Sequence, residues 1–218
     1  MKIKNIILPV FSLVGIVLAL YSFQKSNKLP SELVLAIPFT SQAPNGNWDR
    51  NEDCEETSVT MANAFLSGTQ TKLLDADSAA ASIKHLRDWE NSNIGYNLNT
   101  GVDATEAMAK GGFGLKVEQI NNYSADDLKK ALVDNKVVLL SINARQLNNP
   151  KYLDNGPLYH MIVVRGWTDN GFVVNDPGTT EGNGNTYTFD VLKNAAADWN
   201  QNTKTMDPNR KIALILSK

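Results

Sequence analysis

The sequence predicts an α+β fold, and three observations carry that prediction. Helical periodicities crowd into the first half of the body, and extended runs crowd into the second. The clearest pair of extended runs is joined by the tight turn Asp169-Asn170-Gly171. A hairpin of this kind pairs its strands antiparallel, whereas a parallel sheet needs strands and helices in regular alternation.

The elements follow in order. "LVLAIPF" (33–39) is a short extended segment, and "TSQAPNGNWDRNED" is a polar, turn-rich loop. A helix begins near Cys54 and stops at Gly68, a residue suited to the left-handed position after a helix. Cys54, Ser58, Met61 and Phe65 recur at helical spacing and define one apolar face. Helical patterns follow at 78–90 and 103–110, the second closed by Gly111-Gly112. "LKVEQI" reads as a strand. "SADDLKKALVDN" reads as a helix opened by a capping box from Ser124 to Asp127. "VVLLSINA" (137–144) is a continuous apolar run, the mark of a buried strand. "YHMIVVRGWT" and "FVVNDP" form the hairpin, with Gly166 placed to host a bulge. A Gly/Asn-rich loop (178–185) precedes a strand at 186–189, a helix near 190–199 and a last strand, "KIALILS".

Composition bounds the function. Hydrophobic residues make up 42% of the 218 and charged residues 20%, an ordinary globular balance. Residues 1–28 hold four lysines and no acid, leaving 17 basic against 23 acidic groups in the remainder. An acidic body without a basic stripe excludes a nucleic-acid surface. One cysteine excludes an internal disulfide, and no ligand pair has metal-site spacing, so no cofactor is expected.

Two segments divide the chain. In residues 1–28, Ile6 to Phe23 is an uncharged run of 18 residues. As a helix it would reach about 27 Å, enough for the hydrocarbon core of a bilayer. It is longer than a typical signal-peptide core and lacks a small-residue cleavage site. The expectation is one transmembrane anchor with the body outside the cytoplasm; cleavage would make the protein secreted. Residues 33–218 form the domain.

The sole cysteine, Cys54, stands at the start of its helix among Asp53, Glu55 and Glu56. His160 opens the first hairpin strand, and Asp176 closes the second, sixteen residues later. An antiparallel hairpin brings these two towards one end. A thiolate nucleophile, an imidazole base and an orienting carboxylate are the parts of thiol acyl transfer. Gln42 could donate to the developing oxyanion together with the Cys54 backbone N–H. With an imidazolium at contact and the three acids turned to water, the Cys54 pKa is expected below the free value of about 8.5, by about one unit or more. His85 reads as a surface or half-buried helix residue, Trp48 as a rim residue, and the 178–185 loop as a possible lid.

"IPFTSQAP…W…CEETS…M", "YHMIVVRGW" and "VVNDPG" together resemble the C39-like cysteine peptidases, a branch of the papain-like fold, over most of residues 34–200. By that resemblance Cys54 corresponds to the nucleophile, His160 to the base, Asp176 to the orienting acid and Gln42 to the oxyanion residue. It implies a nucleophile helix packed on a C-terminal antiparallel sheet, and a peptide or protein substrate. Eleven residues separate Gln42 from Cys54, more than in transporter-linked members, and no nucleotide-binding motif is present. Specificity for double glycine is therefore not carried over. A related acyl-transfer enzyme (amidase or transpeptidase) and a non-catalytic peptide-binding module remain alternatives. The oligomeric state is not legible.

Overall fold

The computed structural model describes residues 29–48 and 52–218. One compact unit runs from Ser31 to Lys218. The 6–23 segment, read above as an anchor, lies outside the described residues. Among those residues no helix is long and apolar enough to cross a membrane.

The architecture is α+β. After β1 (Leu33–Val34) come three helices, α1 (Cys54–Leu66), α2 (Ala76–Asn93) and α3 (Gly101–Phe113). Then β2 (Lys116–Asn121) leads into α4 (Ala125–Val133) and β3 (Val137–Ile142). The hairpin is β4 (His160–Thr168) and β5 (Gly171–Asn175), followed by β6 (Asn183–Tyr187) and α5 (Phe189–Ala195). Two short strands, β7 (Asp198–Asn200) and β8 (Thr205–Asp207), form a separate ribbon, and β9 (Ile212–Ser217) returns to the main sheet.

That sheet has the order β2-β9-β3-β4-β5-β6, with β1 added alongside β4. All its pairings are antiparallel. Every residue of β3 is buried, as its unbroken apolar run requires of a strand covered on both faces. α4 opens with the predicted capping box between Ser124 and Asp127, which satisfies two otherwise orphaned backbone donors.

Several details differ from expectation: the 33–39 segment is a strand only at Leu33–Val34, β3 stops at Ile142, and the helix expected near 190–199 stops at Ala195, with Asp198–Asn200 a strand. Helix α3 runs through Gly111 and Gly112 and stops at Gly114, which takes the left-handed conformation. A Cβ on Gly111 would meet the Trp89 ring at 2.1 Å, and one on Gly112 would meet Leu86 at 2.5 Å. These glycines therefore let α3 approach α2 closely and do not end the helix. Helix α1 is buried from Cys54 through Ala62, all round and not on one stripe. The late strand and helix each begin earlier than expected, at Asn183 and Phe189.

The feature that positions the site is a bulge at Arg165. Thr168 pairs with Gly171 and Gly166 with Val173, but the next partner of Val174 is Val164. Gly166 is needed there because β1 crosses it: a Cβ would lie 2.2 Å from the Leu33 carbonyl oxygen. The extra residue shifts all later pairing by one position and so exchanges the faces of the sheet. Continued past Val163–Asn175, the register sets Asp176 two positions from His160, on the same face. Without the bulge the offset would be three, and the two side chains would point to opposite faces.

Candidate active site

His160 and Asp176 meet as that register requires. His160 Nε2 lies 2.7 Å from Asp176 Oδ1, and both side chains are buried. An ionised carboxylate only accepts, so Nε2 carries the donated proton and Nδ1 is the nitrogen left for chemistry. Asp176 Oδ1 also accepts from the Gly178 N–H at 2.9 Å, and Oδ2 accepts from the Tyr152 hydroxyl at 2.5 Å. Burial alone would push this carboxyl up. The charge and hydrogen bond of His160, with the donors from Tyr152 and Gly178, outweigh burial and hold it below the usual range. Gly178 is confined by the same pair, since a Cβ there would come within 2.9 Å of the imidazole.

Tyr152 escaped the sequence reading. It sits in the irregular connection between β3 and β4, where no periodicity marks it. Its ring stands edge-on to the His160 ring, with centroids 6.1 Å apart. Tyr152 is half-buried, and only the fold reveals that its hydroxyl has Asp176 as partner.

Cys54 heads α1, which docks on β4 next to His160. Ser58, one turn along the helix, donates to the Met161 carbonyl at 3.3 Å, and the Met161 N–H faces the Cys54 sulfur. The nucleophile candidate is thus set one residue from the base candidate on the neighbouring strand. Gln42 is held by its backbone N–H, which donates to the Pro177 carbonyl at 2.9 Å. It lines one cavity together with His160 and another together with Asp53, the residue before Cys54. The structure brings His160 onto Asp176, sets Gln42 in the cavity that His160 lines, and docks the helix headed by Cys54 against Met161, the residue after His160.

The charges around the thiol overturn one expectation. Asp53, Glu55 and Glu56 are buried and do not point into water. Asp53 pairs with Arg87 of α2 at 2.8 Å. Glu55 Oε1 accepts from the Thr100 N–H at 2.7 Å, and its Oε2 accepts from the Cys54 thiol at 2.8 Å. Burial pushes the Cys54 pKa well up, and the neighbouring Glu55 charge and hydrogen bond push it further. Burial and the Glu55 contact thus favour the protonated sulfur, against the acidified thiolate expected from the helix terminus.

Behind it, Glu56 and Glu90 share the interior. Burial raises the Glu90 pKa to about 8, with the Glu55 charge as the next cause. Glu56 is raised as well, by burial and then by Glu55 and Glu90. The folded state thus binds a proton that the unfolded chain releases near the ordinary value of 4.5. Stability from this source is complete below that value and is lost as pH rises towards and past 8. Glu90→Gln is expected to stabilise the protein at pH 9 by on the order of a few kcal/mol, and to change little at pH 4. Thermal melts at the two pH values check this; equal wild-type and variant midpoints at pH 9 would refute it.

His85 is exposed and bonds the Gly112 carbonyl at 3.0 Å, remote from this chemistry in role and partner.

No curated protein matches the chain. Among solved structures, a candidate C39-like peptidase from Bacillus anthracis superposes with a TM-score of 0.55 at 17% identity, covering 87% of this chain and 98% of that one. It shares the fold. The Carica candamarcensis cysteine protease CMS1MS2, in complex with E-64, aligns with a TM-score of 0.42 at 11% identity over 87% and 99% of the two chains. The family model for the Peptidase_C39 like family matches residues 34–207, most of the chain. This chain belongs to the Peptidase_C39 like family.

Proposed function

We propose that the protein is a cysteine peptidase of papain-like design that hydrolyses peptide bonds through Cys54, His160 and Asp176, with Gln42 at the oxyanion. The observation that carries this reading is the buried His160–Asp176 pair, 2.7 Å apart, on the strand whose next residue faces the Cys54 sulfur.

In the first step the Cys54 sulfur bonds to the scissile carbonyl carbon while its proton passes to His160 Nδ1. The carbonyl π electrons move to oxygen, where the Gln42 amide and the Cys54 N–H donate. The C–N bond then breaks, and His160 returns the proton to the leaving amine. Water, deprotonated by His160, attacks the thioester, and the acid and free thiol are released. In the attack His160 acts as the general base that takes the thiol proton.

Digestion of a peptide library, with products identified by mass, tests the reading. Cuts that depend on Cys54 support it, and ligated products would instead indicate transpeptidation. The absence of turnover and of Cys54 labelling by a thiol-directed substrate analogue would leave a binding module.

We also propose that residues 1–28 tether this activity to a membrane, with the body outside the cytoplasm. The support is the uncharged run from Ile6 to Phe23. The full chain should sediment with membranes and resist extraction by high salt. A mature protein starting after residue 19 and found only in the medium would end this proposal.

A further inference from the structure

Of the cavities that border the candidate catalytic residues, one holds His160 and another holds Cys54, and these two differ in size and lining. One, of about 520 Å³, includes His160 and Gln42 and is walled by Trp48, Tyr152, Leu153 and Pro157. The other, of about 240 Å³, includes Cys54 with Glu52, Asn99 and Trp199. Pro157 borders both.

The proposed chemistry gives these cavities a direction. A general acid that protonates the leaving amine must stand on the leaving-group side of the scissile bond. The larger cavity contains His160, so it lies towards the residue that follows the bond. Its walls are mainly apolar, as binding pockets of this size commonly are. The ionisable groups at its rim are Lys151 and Asp154, of opposite sign. Lys151 Nζ is taken up by the Glu181 carbonyl at 2.8 Å and by Asn185 Oδ1 at 2.9 Å, which leaves it poorly placed to select a ligand charge. Leu153 is 89% exposed, an unusual state for a large apolar side chain bordering a cavity.

We propose that this cavity binds a bulky apolar side chain on the residue immediately after the scissile bond, so that the substrates are peptides cut before Leu, Ile, Met or Phe. The proposal rests on the peptidase reading and adds the substrate class. It assigns Leu153 and Trp48 as specificity residues, with Leu153 covering the bound side chain from the solvent side.

The test uses the full chain and one peptide sequence with Leu, Phe, Gly, Asp or Lys after the bond. A second substrate, the methyl ester of the acyl half alone, has a leaving group too small to use the cavity. kcat/KM for the Leu and Phe peptides should exceed that for the Gly peptide by about ten- to a hundredfold, the scale of burying one such side chain. Leu153→Asp, at an exposed position that can accept the charge without loss of the fold, should erase most of that preference and raise the relative rate for Lys.

If the ester is hydrolysed but peptides are cut without regard to the following residue, this proposal fails and the peptidase reading stands. A preference for Lys in the wild type would also overturn it, since Asp154 would then dominate the cavity. An apolar preference unchanged by Leu153→Asp would place the specificity elsewhere and refute the assignment. If neither ester nor peptide is turned over and Cys54 resists the substrate analogue, the peptidase reading fails and this inference falls with it.

Discussion

Cys54→Ala and His160→Ala should each lower peptide turnover by about four orders of magnitude or more while leaving the fold intact. In the proposed mechanism the two residues act as a unit: without the sulfur no covalent intermediate forms, and without the imidazole no group takes its proton. The double variant should therefore lose little more than either single variant. Asp176→Asn should retain more activity, because in that mechanism Asp176 orients the base and transfers no proton itself. Tyr152→Phe should be milder again, since it removes one of the donors that hold the Asp176 carboxylate at 2.5 Å. Circular dichroism confirms folding, and kcat/KM on a peptide identified in the library digest ranks the four. Full activity in Cys54→Ala would end the enzyme reading, and additive losses in the double variant would separate the two residues.

Glu55→Gln should move the Cys54 alkylation midpoint down by about one pH unit or more. The groups around the sulfur are Glu55 and Glu56 on α1, the Met161 N–H on β4, and Tyr152 and Tyr159, whose own ionisation the thiolate opposes. His160 is on the same strand. Of these, Glu55 accepts directly from the thiol, 2.8 Å away, and so favours the protonated form. Its other oxygen accepts from the Thr100 N–H at 2.7 Å. A glutamine can keep that second contact through its carbonyl oxygen and turn its amide N–H groups to the sulfur. The variant then donates to a thiolate where the wild type accepts from a thiol. At a fixed pH below the wild-type midpoint, alkylation should be about tenfold faster in Glu55→Gln. Intact-mass measurement of iodoacetamide labelling across pH reads both quantities. A midpoint unmoved by the substitution would mean that Glu55 does not set the state of the thiol.

Much of the candidate site was legible in sequence because its proposed members announce themselves locally. Cys54 stands at a helix start, His160 at a strand start and Asp176 at the close of a hairpin. These are positions that turn residues, capping patterns and apolar runs mark within a few neighbours. The state of the thiol was not legible. Glu55 and Glu56, beside a helix N-terminus, look like ordinary solvent-facing acids that complement the helix dipole. Their inward orientation depends on α2 and α3 closing over α1, and Thr100, which donates to Glu55, arrives there from 45 residues away.

What the sequence by itself determined is the set of elements, their α+β segregation, and the order of Gln42, Cys54, His160 and Asp176 along them. Short-range periodicity, caps and turns encode such features without reference to distant residues. Only the tertiary structure decided that Gly111 and Gly112 continue a helix, because the adjoining Trp89 and Leu86 side chains leave no room for a Cβ. Only it brought Tyr152 from an unpatterned loop onto Asp176. The decision with the most chemical weight was the bulge at Arg165, where β1 crosses Gly166. Side chains on a strand alternate with a period of two, so one inserted residue settles whether His160 and Asp176 share a face.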